Sequence, residues 1–188
     1  MSKSTILDRV RANKPAPRPL PTLPVYKATD EDNLEVFTTS LASSKGQVIQ
    51  LADLNEYIQT NFPEAKQTVS AIPQVQGNVD LASIDDPLQL AGVDLAVLPA
   101  RFAVAENGAM WVSEREMGIR VLPFITQHLI LVVQQGIVPT MHEAYAQIDI
   151  AETGFGVFIA GPSKTADIEQ SLVIGAHGPR SLAVAFID

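Results

Sequence analysis

Two turns near the end of the sequence carry side chains that are well suited to bind an anion. The first is Gly-Pro-Ser-Lys-Thr-Ala-Asp at residues 161–167, and the second is Gly-Ala-His-Gly-Pro-Arg at residues 175–180. Hydroxyls, cations and the first N–H groups of a helix all favour anions. The turns are therefore candidate halves of an anion or phosphate site. The candidate ligand-binding residues in them are Gly161, Ser163, Lys164, Thr165, Asp167, Gly178 and Arg180.

The segment after residue 161 also fits a capped helix that binds no ligand. Thr165 is a suitable N-cap, and Gly175 would end the short helix. Asp167 and Glu169 would compete with an anion for the positive helix end. No glycine directly precedes Lys164, so the segment is not a Walker loop. Anion binding and simple capping both stay open on this evidence.

A third turn, Ala-Glu-Asn-Gly at residues 105–108, offers a carboxylate at a strand end. Asn-Gly between two β-prone runs predicts a tight hairpin, with Glu106 beside it. Such a carboxylate can attack a thioester where backbone N–H groups hold the oxyanion, and Gly108 lets the backbone approach closely. Alternatively, Glu106 accepts hydrogen bonds from its own turn or from an arginine.

His177 completes the candidate catalytic pair with Glu106. An unperturbed imidazole titrates near neutral pH, so His177 can act as a general acid or base, or it can simply hydrogen-bond its own turn. The other histidines, His128 and His142, have no partners at metal-ligand spacing. We therefore predict no metal site.

Alternating helices and strands must position these turns. Apolar periodicity predicts helices at 29–43, 53–62 and 140–148, and strands at 47–51, 67–72, 94–98, 102–105, 127–133 and 182–187. The continuous apolar run at 127–133 predicts a central strand that is covered on both faces. We expect an α/β fold with an open, mostly parallel sheet flanked by helices. The candidate turns should then meet at the carboxyl ends of the strands, where open sheets bind ligands.

Composition excludes several classes of protein. The 188 residues contain no cysteine, so they offer no thiolate ligand, no iron-sulfur cluster site and no cysteine nucleophile. No apolar run approaches the roughly 20 residues that a membrane span needs. The first residues lack the pattern of a secretory signal. We therefore expect one cytoplasmic domain.

The charge is divided between a basic arm and an acidic body. Residues 1–27 sum to +5 and the remainder to −13. The arm contains an amphipathic helical pattern with Ile6, Leu7 and Val10, followed by five prolines between residues 14 and 24 that predict an extended strap. We divide the chain into this arm, 1–27, and an α/β domain, 28–188. The arm either folds back onto the body or docks on an acidic partner; nucleic acid is not expected as a ligand.

The C-terminal turns resemble the LUD domain, the family of lactate utilization protein C. Gly-Pro-Ser-Lys-Thr-Ala-Asp-Ile-Glu at 161–169 and Gly-Ala-His-Gly-Pro at 175–179 carry the resemblance. Ala105, Glu106 and Gly108 also fit the family's Ala-Glu-Thr-Gly stretch, and Asn107 departs from it. The family's fold is similar to that of the ribose-5-phosphate isomerase and CoA-transferase group. Residues 105–108 are similar to the Ser-Glu-Asn-Gly of CoA transferases, in which the glutamate is the nucleophile.

The resemblance implies an accessory subunit of a system that oxidises L-lactate to pyruvate. In such a system partner subunits hold iron-sulfur clusters and this chain holds no cofactor, which agrees with its lack of cysteine. The alternative is a stand-alone enzyme or binding module for a phosphorylated, CoA-linked or folate-like small molecule. That molecule would bind in a crevice between Glu106, Lys164 and His177.

Overall fold

The computed structural model describes residues 2–22, 24, 32–166 and 172–187, in which helices and strands alternate. The helices are α1 (Lys3–Ala12), α2 (Asn33–Ser43), α3 (Leu54–Asn61), α4 (Glu114–Met117), α5 (Leu122–Ile125), α6 (Met141–Ala146) and α7 (Ile150–Thr153). The strands are β1 (Gln47–Val48), β2 (Thr68–Ser70), β3 (Leu95–Ala100), β4 (Phe102–Val104), β5 (Ala109–Ser113), β6 (His128–Val133), β7 (Ile137–Val138), β8 (Gly156–Ile159), β9 (Lys164–Ala166), β10 (Leu172–Ile174) and β11 (Ser181–Phe186).

The larger sheet has five strands in the order β1-β11-β6-β3-β2, and each neighbouring pair is parallel. The sheet is open, because β1 and β2 form its two edges. Strand β6 lies at the centre and is buried from Leu129 to Val133. Such continuous burial is expected when both faces of a parallel sheet are covered. The predicted central strand and the predicted mostly parallel α/β fold are confirmed.

A smaller sheet, in the order β7-β4-β5-β8, is mostly antiparallel. Strands β4 and β5 form the hairpin that Asn-Gly predicts. Gly108 has a φ of 66°, and the side-chain oxygen of Asn107 accepts a hydrogen bond from the amide of Ala109 at 3.1 Å. Glu106 therefore lies at a strand end beside a tight turn, as predicted.

The two sheets share a pair of strands that run continuously from one into the other. Only Arg101 separates β3 from β4, and residues 134–136 separate β6 from β7. The amide of Gln135 donates to the carbonyl of Arg101 at 2.8 Å, and the amide of Ala103 donates to that of Gly136 at 3.0 Å. The small sheet thus begins at the carboxyl edge of the large sheet. Its inner face then packs over one face of the large sheet, because both contribute to one core.

Helices complete three hydrophobic clusters. Phe37 and Leu41 of α2 are fully buried in the core that the two sheets share, together with residues of α4 and α5. Helix α3 covers the opposite face of the large sheet through Leu54. Helix α6 covers the outer face of the small sheet, where Ala144 packs near Trp111.

The predicted helix after Thr165 is wrong in its described part. Thr165 is not an N-cap, because it lies within β9 and pairs with Val173 of β10 in an antiparallel ribbon. The remainder of that predicted helix, including Asp167, lies outside the described residues. β-branched residues such as Thr165, Val173 and Ile174 favour a strand, and the ribbon pairs their backbone groups without a helix.

The basic arm packs little against the core of the domain. Every residue of α1 is exposed, and Ile6 and Val10 are 51% and 57% exposed. Residues 14–22 follow and form neither helix nor strand, as expected for a segment with proline at every second position. The arm therefore contributes little to the stability of the domain.

Two leucines of α2 test the assignment of the shared core. Leu41→Ala should lower the free energy of unfolding by about 2–5 kcal/mol, because Leu41 is fully buried in the core to which both sheets contribute. The matched variant Leu34→Ala lies on the same helix at a 47% exposed position and should change it by no more than about 0.5 kcal/mol. Urea unfolding of both variants measures the difference. Equal losses would contradict the assigned core.

Candidate functional site

A polar cleft of about 680 Å³ opens at the carboxyl ends of β3 and β6, where the chain passes from the large sheet to the small one. Its volume is in the range of pockets that hold small molecules. Ligands of open α/β sheets bind at this edge. We call it the carboxyl-edge cleft. Its lining residues are Pro99, Arg101, Ser113, Arg115, Glu116, Gln134, Gln135, Gln147, Asp149 and Thr153.

Two arginines supply the positive charge of the carboxyl-edge cleft. The Nε of Arg101 donates to the side-chain oxygen of Gln135 at 3.3 Å, which fixes it beside the end of β6. Arg115 lies in α4, whose first turn is capped by the side chain of Ser113. Within the described ranges, neither guanidinium forms an ion pair with a carboxylate. Both therefore keep donors for a ligand, and a guanidinium binds a carboxylate or phosphate through two parallel hydrogen bonds.

The two carboxylates of the cleft are engaged by backbone groups. An oxygen of Glu116 accepts from the amide of Ser113 at 2.8 Å, and one of Asp149 accepts from the amide of Ala151 at 2.9 Å. These amides lie at the starts of α4 and α7, where the helix dipole favours negative charge. The arginines and the three glutamine amides are thus the groups of the cleft best placed to donate to an anionic ligand.

A smaller cleft of about 270 Å³ lies at the opposite edge of the large sheet, at the amino ends of β3 and β6. We call it the amino-edge cleft. The ring of His128 packs on that of Phe62 with centroids 4.6 Å apart, and its Nδ1 lies 2.8 Å from the Oγ of Ser181. Burial lowers the pKa of His128, the charge of Arg180 lowers it further, and Asp94 opposes both. The neutral imidazole is therefore favoured in the folded state.

The structure brings the predicted Ser163 and His177 turns together. The amide of Ser163 donates to the carbonyl of Pro179 at 2.8 Å, and the amide of Gly175 donates to the carbonyl of Ser163 at 2.9 Å. A Cβ atom at Gly178 would lie 3.0 Å from that of Ser163. Lys164 follows directly as the first residue of β9, and its side chain is exposed.

The Glu106 turn and the Gly161 turn both pack on α2. A Cβ atom at Gly108 would lie 2.5 Å from the amide nitrogen of Leu41, and one at Gly161 would overlap the carbonyl of Ser44. Both glycines also have positive φ angles, of 66° and 79°. Only glycine satisfies this conformation and this close approach together. Packing on α2 and backbone conformation account for the two glycines, and their roles in ligand binding stay predictions.

The carboxylate of Glu106 has a structural partner. Its Oε2 accepts a hydrogen bond from the amide of Met141 at 3.0 Å, at the start of α6. An acidic group in this position stabilises the positive end of a helix. The contact agrees with the alternative that Glu106 serves its local structure. Its role as a nucleophile, like the acid-base role of His177, stays a prediction.

The Ser163 and His177 turns do not lie at the carboxyl edge of the large sheet, so their predicted location is wrong. Residues 177–180 directly precede β11, and the amide of Arg180 donates at 2.7 Å to the carbonyl of Gln127, which directly precedes β6. A loop that enters a parallel strand must lie at its amino end, so Arg180 lines the amino-edge cleft. Glu106 contacts Met141 at the start of α6, whereas Gln147 of the carboxyl-edge cleft directly follows the end of that helix. The rise along the helix between Met141 and Gln147 is about 9 Å.

The residues of the carboxyl-edge cleft are not among those predicted from the sequence. Arg101 interrupts an apolar run between two buried strands, and Gln134-Gln135 directly follows the central strand. Polar side chains at the carboxyl ends of buried parallel strands indicate a ligand site. That signal was present for Arg101, Gln134 and Gln135. Arg115 gave no such signal, because it reaches the cleft from a helix of the other sheet.

The described residues show neither a membrane-spanning helix nor a metal cluster. Each of their helices is too short or too polar to cross a bilayer. In the same ranges, no three His, Asp or Glu side chains lie close enough together to hold a metal ion.

The fold and its clefts define an open α/β protein with a polar cleft at the carboxyl edge of a parallel sheet. The family model of the LUD domain matches residues 23–187, and the chain belongs to this family. The matched region leaves out α1 and most of the proline strap. A crystal structure of a DUF162 family protein from Deinococcus radiodurans has the same fold, with a TM-score of 0.63, 20% sequence identity and coverage of 83% of this chain and 96% of that one.

Several curated relatives are named lactate utilization protein C. The protein of Bacillus pumilus is 31% identical over 115 residues, which are 57% of this chain and 48% of that protein. The protein of Geobacillus thermodenitrificans is 35% identical over 105 residues, or 52% and 43%. That of Geobacillus kaustophilus is 31% identical over 137 residues, or 69% and 55%. The chain spans about half the length of the curated relatives it matches.

The environment of His128 predicts a pH dependence of stability. Its folded pKa lies below the ordinary value of 6.5, so the unfolded chain binds the proton more readily. The contribution of His128 is therefore complete above that value and is lost as the pH falls through the folded pKa. In His128→Gln the urea midpoint should depend less on pH between about 5 and 8. His177→Gln, at an exposed turn position, is the control. An unchanged pH dependence in His128→Gln would contradict this account.

Proposed function

We propose that this chain is an accessory subunit of an L-lactate utilization system and that it binds a small carboxylate in the carboxyl-edge cleft. In this proposal partner subunits with iron-sulfur clusters oxidise L-lactate to pyruvate. The names of the curated relatives support a role in lactate utilization. The 188 residues contain no cysteine, so we assign the clusters to the partners.

The pair of arginines in the carboxyl-edge cleft carries the proposal. L-Lactate and pyruvate each present one carboxylate beside a hydroxyl or carbonyl oxygen. Arg101 and Arg115 lack carboxylate partners among the described residues and can bind that carboxylate, while the amides of Gln134 and Gln135 can donate to the neighbouring oxygen. The site would then recognise a 2-hydroxy or 2-oxo acid by charge and by hydrogen bonding.

The volume of the cleft supports a second candidate function. About 680 Å³ is more than a three-carbon acid fills, and suits a drug-sized ligand. The chain would then be a stand-alone enzyme or binding module for a phosphorylated, CoA-linked or folate-like molecule. If that molecule were a thioester, Glu106 would be the candidate nucleophile and His177 the candidate acid or base. Their distance from the carboxyl-edge cleft makes this the weaker of the two proposals.

Calorimetric titration tests the carboxylate site. Arg115→Gln should weaken the binding of L-lactate and of pyruvate by about 10- to 100-fold, because a hydrogen bond to a charged group contributes about 1.5–3 kcal/mol. The control Arg18→Gln removes the same charge from the exposed strap and should leave both affinities unchanged. If neither acid binds the wild-type chain, the carboxylate proposal fails. If CoA binds instead, and more weakly in Arg115→Gln, the second candidate is correct.

Deletion of the arm tests the accessory role. A chain without residues 1–22 should keep its urea midpoint, because α1 is exposed and the family match begins at residue 23. It should no longer co-purify with cysteine-rich, iron-containing subunits expressed beside it, because the basic arm is the proposed docking element. Replacing Arg9 and Arg11 by glutamine should weaken the same association, since it removes charge and keeps the arm. Co-purification that persists in both variants would contradict the docking role.

A further inference from the structure

A third cleft lies beside the carboxyl-edge cleft on the outer face of the small sheet. It measures about 400 Å³ and is mostly apolar, and we call it the aromatic cleft. Its walls include three aromatic rings and two glycines. The lining residues are Trp111, Tyr145, Ile148, Thr153, Gly154, Gly156, Val157 and Phe158.

The aromatic side chains form a connected group of flat surfaces. The ring centroids of Trp111 and Phe158 are 4.7 Å apart, and those of Tyr145 and Phe158 are 5.6 Å apart. Gly156 allows Trp111 to lie against β8, since a Cβ atom there would overlap the six-membered part of the indole. Tyr145 is 58% exposed, so one wall of the cleft is open to a ligand. Flat apolar walls of this kind fit a planar ring better than a flexible chain.

The indole of Trp111 adds a buried polar group to this cleft. Trp111 is only 7% exposed, and its Nε1 is buried without a hydrogen-bond partner among the described residues. Buried indole N–H groups usually have a partner, because leaving one unpaired is costly. Because less than 1 Å² of this atom is accessible, a ligand ring that carries an acceptor nitrogen or oxygen would supply the partner only if the indole turned its Nε1 toward the cleft. The ring is therefore expected to be heteroaromatic.

The aromatic cleft and the carboxyl-edge cleft adjoin each other. Thr153 lines both. Trp111 and Ser113 are two residues apart in β5, so their side chains lie on the same face of the strand. Trp111 lines the aromatic cleft and Ser113 lines the carboxyl-edge cleft. After α6, Ile148 lines the aromatic cleft and the next residue, Asp149, lines the carboxyl-edge cleft. One ligand can therefore extend from the aromatic rings to the arginines.

We propose that the aromatic cleft is a binding subsite for a planar heteroaromatic ring whose anionic remainder lies in the carboxyl-edge cleft. Molecules of the purine nucleotide class combine these two parts. The subsite rests on the second candidate function and gives it a chemical identity. It shares the arginines of the carboxyl-edge cleft with the lactate proposal, whereas the aromatic rings belong to this proposal alone.

The fluorescence of Trp111 reports on this subsite directly, since it is the only tryptophan in the chain. Adenosine should change the fluorescence of the full chain saturably, and ribose should not. Adenosine 5′-monophosphate should bind more tightly than adenosine. Tyr145→Ala should weaken both by about tenfold or more, because it removes a stacking surface at an exposed position. Phe124→Ala, at another exposed aromatic position, is the control.

The outcomes separate this subsite from the carboxylate proposal. Arg115→Gln should remove the advantage of the monophosphate over adenosine and leave adenosine itself unaffected. If L-lactate binds by calorimetry and neither adenine compound changes the fluorescence, the lactate role stands and the aromatic subsite is wrong. An adenosine response that is unchanged in Tyr145→Ala also overturns it. So does fluorescence that varies with protein concentration alone, which would mean that a second copy of the chain covers the cleft.

Discussion

Two neighbouring strands stay paired as they cross from the large sheet into the small one, and the positions of the other elements follow from this pairing. The segments β3-β4 and β6-β7 stay hydrogen-bonded through Arg101 and Gln135 while they leave the large sheet and enter the small one. Backbone groups at the junction thus satisfy each other's hydrogen bonds. The junction also fixes how the small sheet lies on the large one, and so defines the core that both share.

This junction also forms the carboxyl-edge cleft. Within β3 and β6 the side chains pack against neighbouring elements. At the junction, Arg101, Gln134 and Gln135 instead line the open cleft at the carboxyl edge. Strand β5 and α4 then bring Ser113 and Arg115 to the same cleft. The outer face of the small sheet continues from there into the aromatic cleft. The junction thus places two arginines, several amides and a group of aromatic rings on a single continuous surface.

The sequence predicted the elements whose signals are local. Asn107-Gly108 indicated the hairpin, and the unbroken apolar run after His128 indicated the buried central strand, because a turn type and a burial pattern each depend on adjacent residues. The contact between the Ser163 and His177 turns was also predicted. Thr165 was assigned to a helix because its strand partner, Val173, is not adjacent to it in the sequence. A local pattern of residues therefore does not reveal the pairing. The edge on which the His177 turn lies could have been predicted, because a turn that directly precedes the predicted strand at 182–187 must lie at the amino end of that strand.

The proposed site for a small carboxylate is the carboxyl-edge cleft rather than the Ser163 and His177 turns. Chemical-shift mapping by NMR with pyruvate as ligand distinguishes the two locations, because the side-chain amides of Gln134, Gln135 and Gln147 are separate probes of that cleft. We predict saturable shifts of these side-chain amides and of the Arg101 and Arg115 backbone amides. Shifts confined to the backbone amides of Ser163, His177 and Gly178, or the absence of any saturable shift, would contradict the claim.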